Sequence, residues 1–126
     1  MLKFKEAGSS KDYEIAAELF REYATKLSVD LDFQDFNNEL KHIERVYGRP
    51  AGVLFLAFEN EAKTVGCFGI RKLEEGICEL KRMYLKEEAR GRGYGKELLS
   101  FAMSQGKKLG YKKMRLDTLP DMQQAI

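Results

Sequence analysis

The stretch Arg90-Gly91-Arg92-Gly93-Tyr94-Gly95-Lys96 constrains the fold of this chain most, because of what flanks it. Ahead of it, Ile77-Cys78-Glu79-Leu80-Lys81-Arg82-Met83-Tyr84-Leu85 reads as a strand. Behind it, Glu97 to Leu109 reads as an amphipathic helix whose buried stripe is Leu98, Leu99, Ala102 and Leu109. Lys107 and Lys108 suit the negative end of that helix, and Gly110 caps it. Tyr111 to Thr118 reads as a further strand. Strand, glycine turn, helix and strand make a crossover, which lays a helix against a sheet. The turn itself suits an anion. Helix-start N–H groups lack intrahelical partners, and the macrodipole favours negative charge beside them. Gly91, Gly93 and Gly95 let the backbone approach a ligand closely, and Arg90, Arg92 and Lys96 add positive charge.

Spacing separates the kinds of phosphate loop that could stand here. A P-loop needs Ser or Thr after Gly-Lys, but Gly95-Lys96 is followed by Glu97. A dinucleotide fingerprint needs G-x-G-x-x-G; counted from Gly91 the last position is Lys96, and from Gly93 it is Leu98. The spacing R-x-x-G-x-G is met by Arg90, Gly93 and Gly95. With Tyr84-Leu85-Lys86-Glu87-Glu88-Ala89 before it and Lys96-Glu97-Leu98-Leu99 after it, this region resembles the coenzyme A pyrophosphate loop of the GNAT N-acetyltransferase superfamily. Gly110-Tyr111 and Leu116-Asp117-Thr118 resemble that family as well.

The rest of the chain is coherent with a single domain spanning residues 1–126. Residues 2–6 form a short first strand. Ser9-Ser10-Lys11-Asp12 resembles a capping box, and Ile15, Leu19, Phe20, Tyr23 and Leu27 then recur at helical spacing. A second helix follows Asp32, with Phe33, Phe36, Leu40, Ile43 and Tyr47 on one face, and ends at Gly48 and Pro50. His42 lies beside that stripe as a solvent-facing or partly packed side chain. Val53 to Phe58 and Thr64 to Ile70 make a hairpin through Glu59-Asn60-Glu61, with Gly66 and Gly69 marking a bulge or a close approach. Glu74-Glu75-Gly76 turns into the strand at 77–85. The order is β-α-α-β-β-β-α-β: an α/β (α+β) fold with a mixed, mostly antiparallel sheet flanked by helices. This order matches the GNAT fold except for its C-terminal helix and last two strands.

Composition excludes several partners. Net charge is +2 with both signs interspersed, so nothing points to nucleic acid. No apolar stretch reaches membrane-spanning length and no signal-peptide pattern opens the chain, so the expectation is a cytoplasmic protein. Cys67 and Cys78 sit in strand-like segments with no metal-ligand partners nearby, and read as buried free thiols. No metal site is expected.

The resemblance implies transfer of an acetyl group from acetyl-coenzyme A to a primary amine, the acceptor being a small molecule or a peptide. It places coenzyme A on Arg90, Gly91, Arg92, Gly93, Tyr94, Gly95 and Lys96, with the backbone of Met83 and Leu85 along the pantetheine arm. It makes Glu79 the candidate base; the alternative is a carboxylate paired with Lys81 or Arg82 on the strand surface. For Arg90 the alternative to phosphate contact or loop support is an ion pair with Glu87 or Glu88. The family's Asn in the next helix aligns with Met122, and its Tyr acid for the departing thiolate would lie beyond Ile126. A coenzyme A-binding module with little turnover and an interaction domain without cofactor are the rival readings. The edge and apolar surface around Leu116, Leu119, Met122, Ala125 and Ile126 give two further expectations: a fragment of a longer protein, or a homodimer through this C-terminal edge.

Overall fold

The computed structural model describes residues 1–26, 36–60 and 63–116. In chain order the elements are β1 (Lys3–Glu6), α1 (Ser10–Lys26), α2 (Phe36–Lys41), α3 (Ile43–Val46), β2 (Val53–Asn60), β3 (Lys63–Glu74), β4 (Ile77–Leu85), α4 (Tyr94–Lys108) and β5 (Lys113–Leu116). The sheet runs β1-β2-β3-β4-β5. The pairings from β1 to β4 are antiparallel, and β5 lies parallel to β4, with Ile77 opposite Lys113 and Leu80 opposite Leu116. The expected mixed sheet is therefore present, the one parallel step among the described strands made by the crossover through α4.

Ring contacts show which helices cover which face. Phe101 of α4 stacks on Phe4 and meets Phe55 and Phe68 edge-on, so α4 covers the face that carries these three strand residues. Gly69 follows Phe68 and points the other way. A Cβ there would come within 2.6 Å of the Tyr47 ring, which explains why that strand position has no side chain. Tyr47 in turn meets Phe20 of α1, and Tyr23 of α1 meets Tyr84 of β4. The helices from α1 to α3 thus share the second face. Val65, Cys67, Phe68 and Ile70 of β3 are fully buried between the two layers.

Local signals at the helix ends hold. Ser9 Oγ accepts the Asp12 N–H at 3.2 Å while Asp12 Oδ2 accepts the Ser9 N–H at 3.3 Å, a reciprocal capping box. At the end of α4 the Tyr111 N–H bonds to Gly106 O and the Gly110 N–H to Lys107 O, a Schellman closure. Both cysteines are free and buried.

Several boundaries differ from expectation. Helix α4 begins at Tyr94 rather than Glu97, because Tyr94 is 92% buried and pulls the first turn onto the sheet. Tyr94, Gly95 and Lys96 are therefore helical residues. The single helix expected after Asp32 is two pieces, since His42 leaves helical dihedrals at φ −122° and ψ 30°. The break lets Phe36, Glu39, Ile43 and Tyr47 all reach inward. Strand β3 runs on past Ile70 to Glu74. The expectations for Leu27, Phe33, Leu119, Met122, Ala125 and Ile126 lie outside the described residues. Among the described residues no helix is long and apolar enough to cross a membrane, and no cluster could hold a metal ion.

Candidate functional site

The site begins where β4 changes step. Cys67 pairs with Tyr84 and Gly69 with Lys81, so β4 carries one more residue than β3 across that interval. The extra residue makes a bulge, and Arg82, at φ 57°, is the only non-glycine among the described residues with a positive φ. The described part of β5 accompanies β4 only up to Leu80. Met83 and Leu85 are 5% and 6% exposed, and their side chains pack in the core.

Arg82 sends its side chain under α2. Its Nε and Nη2 donate to Glu39 Oε2 and Oε1 at 2.9 and 2.7 Å, and the Tyr47 hydroxyl donates to Glu39 Oε2 at 2.7 Å. The Phe36 ring lies 5.3 Å from the guanidinium carbon. Burial alone would raise the Glu39 pKa, but the bonds and charge of Arg82 outweigh it and hold the carboxyl below its usual range. Burial beside Glu39 pushes the Tyr47 hydroxyl well up. Farther along β4, the Tyr84 hydroxyl donates to Glu22 of α1, and burial with that carboxylate raises its pKa too.

After Leu85 the chain leaves the sheet through a 3-10 turn at Glu87–Ala89. Ala89 is 1% exposed and anchors the turn. Gly91 and Gly93 then adopt φ of 83° and 79°, a conformation in which side-chain-bearing residues are disfavoured. Glu97 N–H closes onto Gly93 O at 3.3 Å. The N–H groups of Gly91, Arg92, Gly93, Tyr94, Gly95 and Lys96 have no hydrogen-bond partner among the described residues, and no side chain caps the helix. A Cβ built on Gly91 or Gly93 would meet no atom within 4 Å, so the space over the loop is open. Unpaired donors at a helix start beside open space fit a pyrophosphate.

The loop's cations divide into three roles. Arg90 Nε donates to Leu85 O at 3.0 Å, which braces the loop against the end of β4. It pairs with neither Glu87 nor Glu88, which instead meet Lys26 and Lys63. Arg92 forms an ion pair with Glu59 at the far end of β2, and Tyr94 Oη lies 3.4 Å from the same carboxylate. Lys96 has no ion-pair partner among the described residues. Glu59 therefore offsets part of the positive charge expected from the sequence alone.

Glu79 lies on the face covered by α1 to α3, with its side chain 18% exposed. It does pair with a cation, but that cation is Arg71 on β3, its register partner, and not Lys81 or Arg82. Arg71 Nε donates to Oε1 at 3.1 Å, and Oε2 has no partner among the described residues. The residues that sequence reasoning missed are Glu39, Tyr47, Arg82, Glu59, Glu22 and Tyr84. All but Tyr47, whose partner Glu39 is eight residues away, act through a partner at least 33 positions distant in sequence, and no local spacing marks such pairs.

The profile of the Acetyltransferase (GNAT) family matches residues 13–126. An uncharacterised N-acetyltransferase of Schizosaccharomyces pombe is 35% identical over 109 residues, covering 86% of this chain and 67% of that protein. A crystal structure of a GNAT-family acetyltransferase from Staphylococcus aureus superposes with a TM-score of 0.79 at 23% identity, covering 99% of this chain and 78% of that one. An acetyltransferase of Clostridium acetobutylicum, in a crystal structure with acetyl-coenzyme A, gives a TM-score of 0.66 at 16% identity, covering 99% and 86%.

Proposed function

Because this chain belongs to the GNAT family of acetyltransferases, we propose that it takes acetyl-coenzyme A as donor and a primary amine, on a small molecule or a peptide, as acceptor. The observation that carries the reading is the row of N–H groups from Gly91 to Lys96 that have no partner among the described residues, with open space beside Gly91 and Gly93. The acetyl-coenzyme A found with the Clostridium acetobutylicum protein supports the same donor here. The loop amides hold the pyrophosphate, Lys96, with no ion-pair partner among the described residues, adds a cation, and Arg90 keeps the loop in place. The backbone of Met83 and Leu85 runs beside the pantetheine arm. Acetyl-coenzyme A brings an activated acetyl thioester.

The acceptor must lose a proton before it can attack. An alkyl amine of pKa near 10.4 is neutral in roughly one molecule per thousand or fewer at pH 7. Glu79 Oε2 takes that proton, directly or through a water, while Arg71 fixes the carboxylate through Oε1. The backbone near Met83 donates to the oxygen on which negative charge develops.

Calorimetric titration with coenzyme A, together with an acetylation assay over a panel of amines, tests the reading. Micromolar binding and acetylated product are expected. Binding without product would favour a coenzyme A-binding module, and no binding at all would leave an interaction domain. For the base, Glu79→Gln keeps the shape and removes proton acceptance. Turnover should then fall by on the order of 10²–10⁴-fold with coenzyme A affinity unchanged. Wild-type turnover in Glu79→Gln would remove Glu79 from the mechanism.

A further inference from the structure

The bulge of β4 holds a charged residue in a conformation that charge does not explain. The left-handed region disfavours a residue that carries a side chain, and glycine would adopt Arg82's φ of 57° without that penalty. Nor is stability the obvious reason, since a buried ion pair is often no better than apolar residues of similar volume. What arginine adds is a rigid planar fork. Both prongs are engaged by Glu39 at 2.9 and 2.7 Å, Phe36 covers the guanidinium face, and Tyr47 holds the carboxylate from the other side. The Arg82 carbonyl is held as well, by Cys67 Sγ at 3.5 Å. Side chain and carbonyl of the residue next to Met83 are thus pinned to α2 and β3.

We propose that the Arg82–Glu39–Tyr47 cluster is a positioning device: by tying β4 to α2 it fixes the direction of the backbone at Met83, which receives the thioester carbonyl. This rests on the coenzyme A reading above. The cluster touches no reacting atom; it acts through Met83. Binding of coenzyme A at the Gly91–Lys96 loop does not depend on it.

The test uses ¹⁵N-labelled full chain titrated with acetyl-coenzyme A. In wild type, the amides of Gly93, Gly95 and Met83 should all shift. In Glu39→Gln, which keeps the volume and loses the charge, the loop amides should still shift and affinity should stay within about threefold. The Met83 response should be altered, and turnover should fall on the order of tenfold to a hundredfold, with KM for acetyl-coenzyme A nearly constant. Tyr47→Phe removes one hydroxyl, and should move both readouts in the same direction by less; it carries the test if Glu39→Gln does not fold. An unaltered Met83 response with wild-type turnover in a folded variant would overturn the proposal while the coenzyme A reading stands. No loop response in wild type would overturn that reading and the proposal with it. The Met83 amide decides even where turnover is too slow to measure.

Discussion

The bulge of β4 and the glycine loop that follows it are neighbours in the chain with opposite polar states. At the bulge every strong group is buried and answered: Arg82 is 1% exposed and doubly bonded to Glu39, which also accepts from Tyr47. In the loop the backbone donors from Gly91 to Lys96 have no partner among the described residues, and the space beside Gly91 and Gly93 is open. The first region uses polar groups to hold geometry within the protein. The second leaves polar groups for something outside the protein. Both contain left-handed residues, but glycine supplies that conformation where a ligand must come close, and a side chain supplies it where an anchor is needed.

The largest effect should come from breaking the buried pair. Arg82→Ala leaves Glu39 charged, buried and without its guanidinium, which costs about 3–5 kcal/mol. Urea denaturation should show that loss; a change below about 1 kcal/mol would mean that the pair is not the anchor described. Acid should remove part of the same stabilisation. The Glu39 carboxyl titrates below its ordinary value of 4.5 when folded, so the unfolded chain binds its proton first as pH falls. The pair's contribution is present above that value and is lost as pH drops through the lower folded pKa. Asp12, lowered by the Gly8 and Ser9 amides and Lys5 against the opposing effect of burial, acts in the same sense from 3.8 downward. Stability measured from pH 6 to pH 3 should therefore fall, and in Glu39→Gln it should fall less steeply.

The loop should respond in binding more than in stability. Gly93→Val forces a β-branched residue into φ 79°, so the loop must give up the conformation that lines up its amides. Coenzyme A affinity should drop about tenfold or more, about 1.4 kcal/mol, with a smaller change in denaturation midpoint than Arg82→Ala gives. Equal affinity in a folded Gly93→Val protein would contradict the site. Arg92→Ala should have the smallest effect. Its side chain is 54% exposed and already shares charge with Glu59. Removing it frees that carboxylate to repel phosphate, an effect of a few-fold at low salt that should fade at high salt through screening.

Sequence reasoning located the loop and missed the bulge for a physical reason. Glycine turns, capping boxes and apolar periodicity are local, set by residues within a turn or two of each other. Ser9 and Asp12, the run from Ile77 to Leu85, and Arg90 with Gly93 and Gly95 were all legible in that way, and so was the order of the elements. The helix start at Tyr94 was not, because burial against the sheet overrode the weak helix propensity of Gly95. Nor was the partner of Glu79: along the strand Lys81 and Arg82 are nearest, but across the sheet Arg71 is its register neighbour.

By itself, then, the amino-acid order determined the mixed sheet, the crossover and a glycine loop suited to an anion, since each follows from short-range sterics and hydrogen bonding. Tertiary structure alone decided which charges meet. It brought Glu39 under Arg82, Glu59 beside Arg92 and Glu22 to Tyr84, pairs separated in sequence by 43, 33 and 62 positions. Such pairs form only when strand register and helix packing set the distances, because a charge has no preferred partner until the fold limits which ones it can reach.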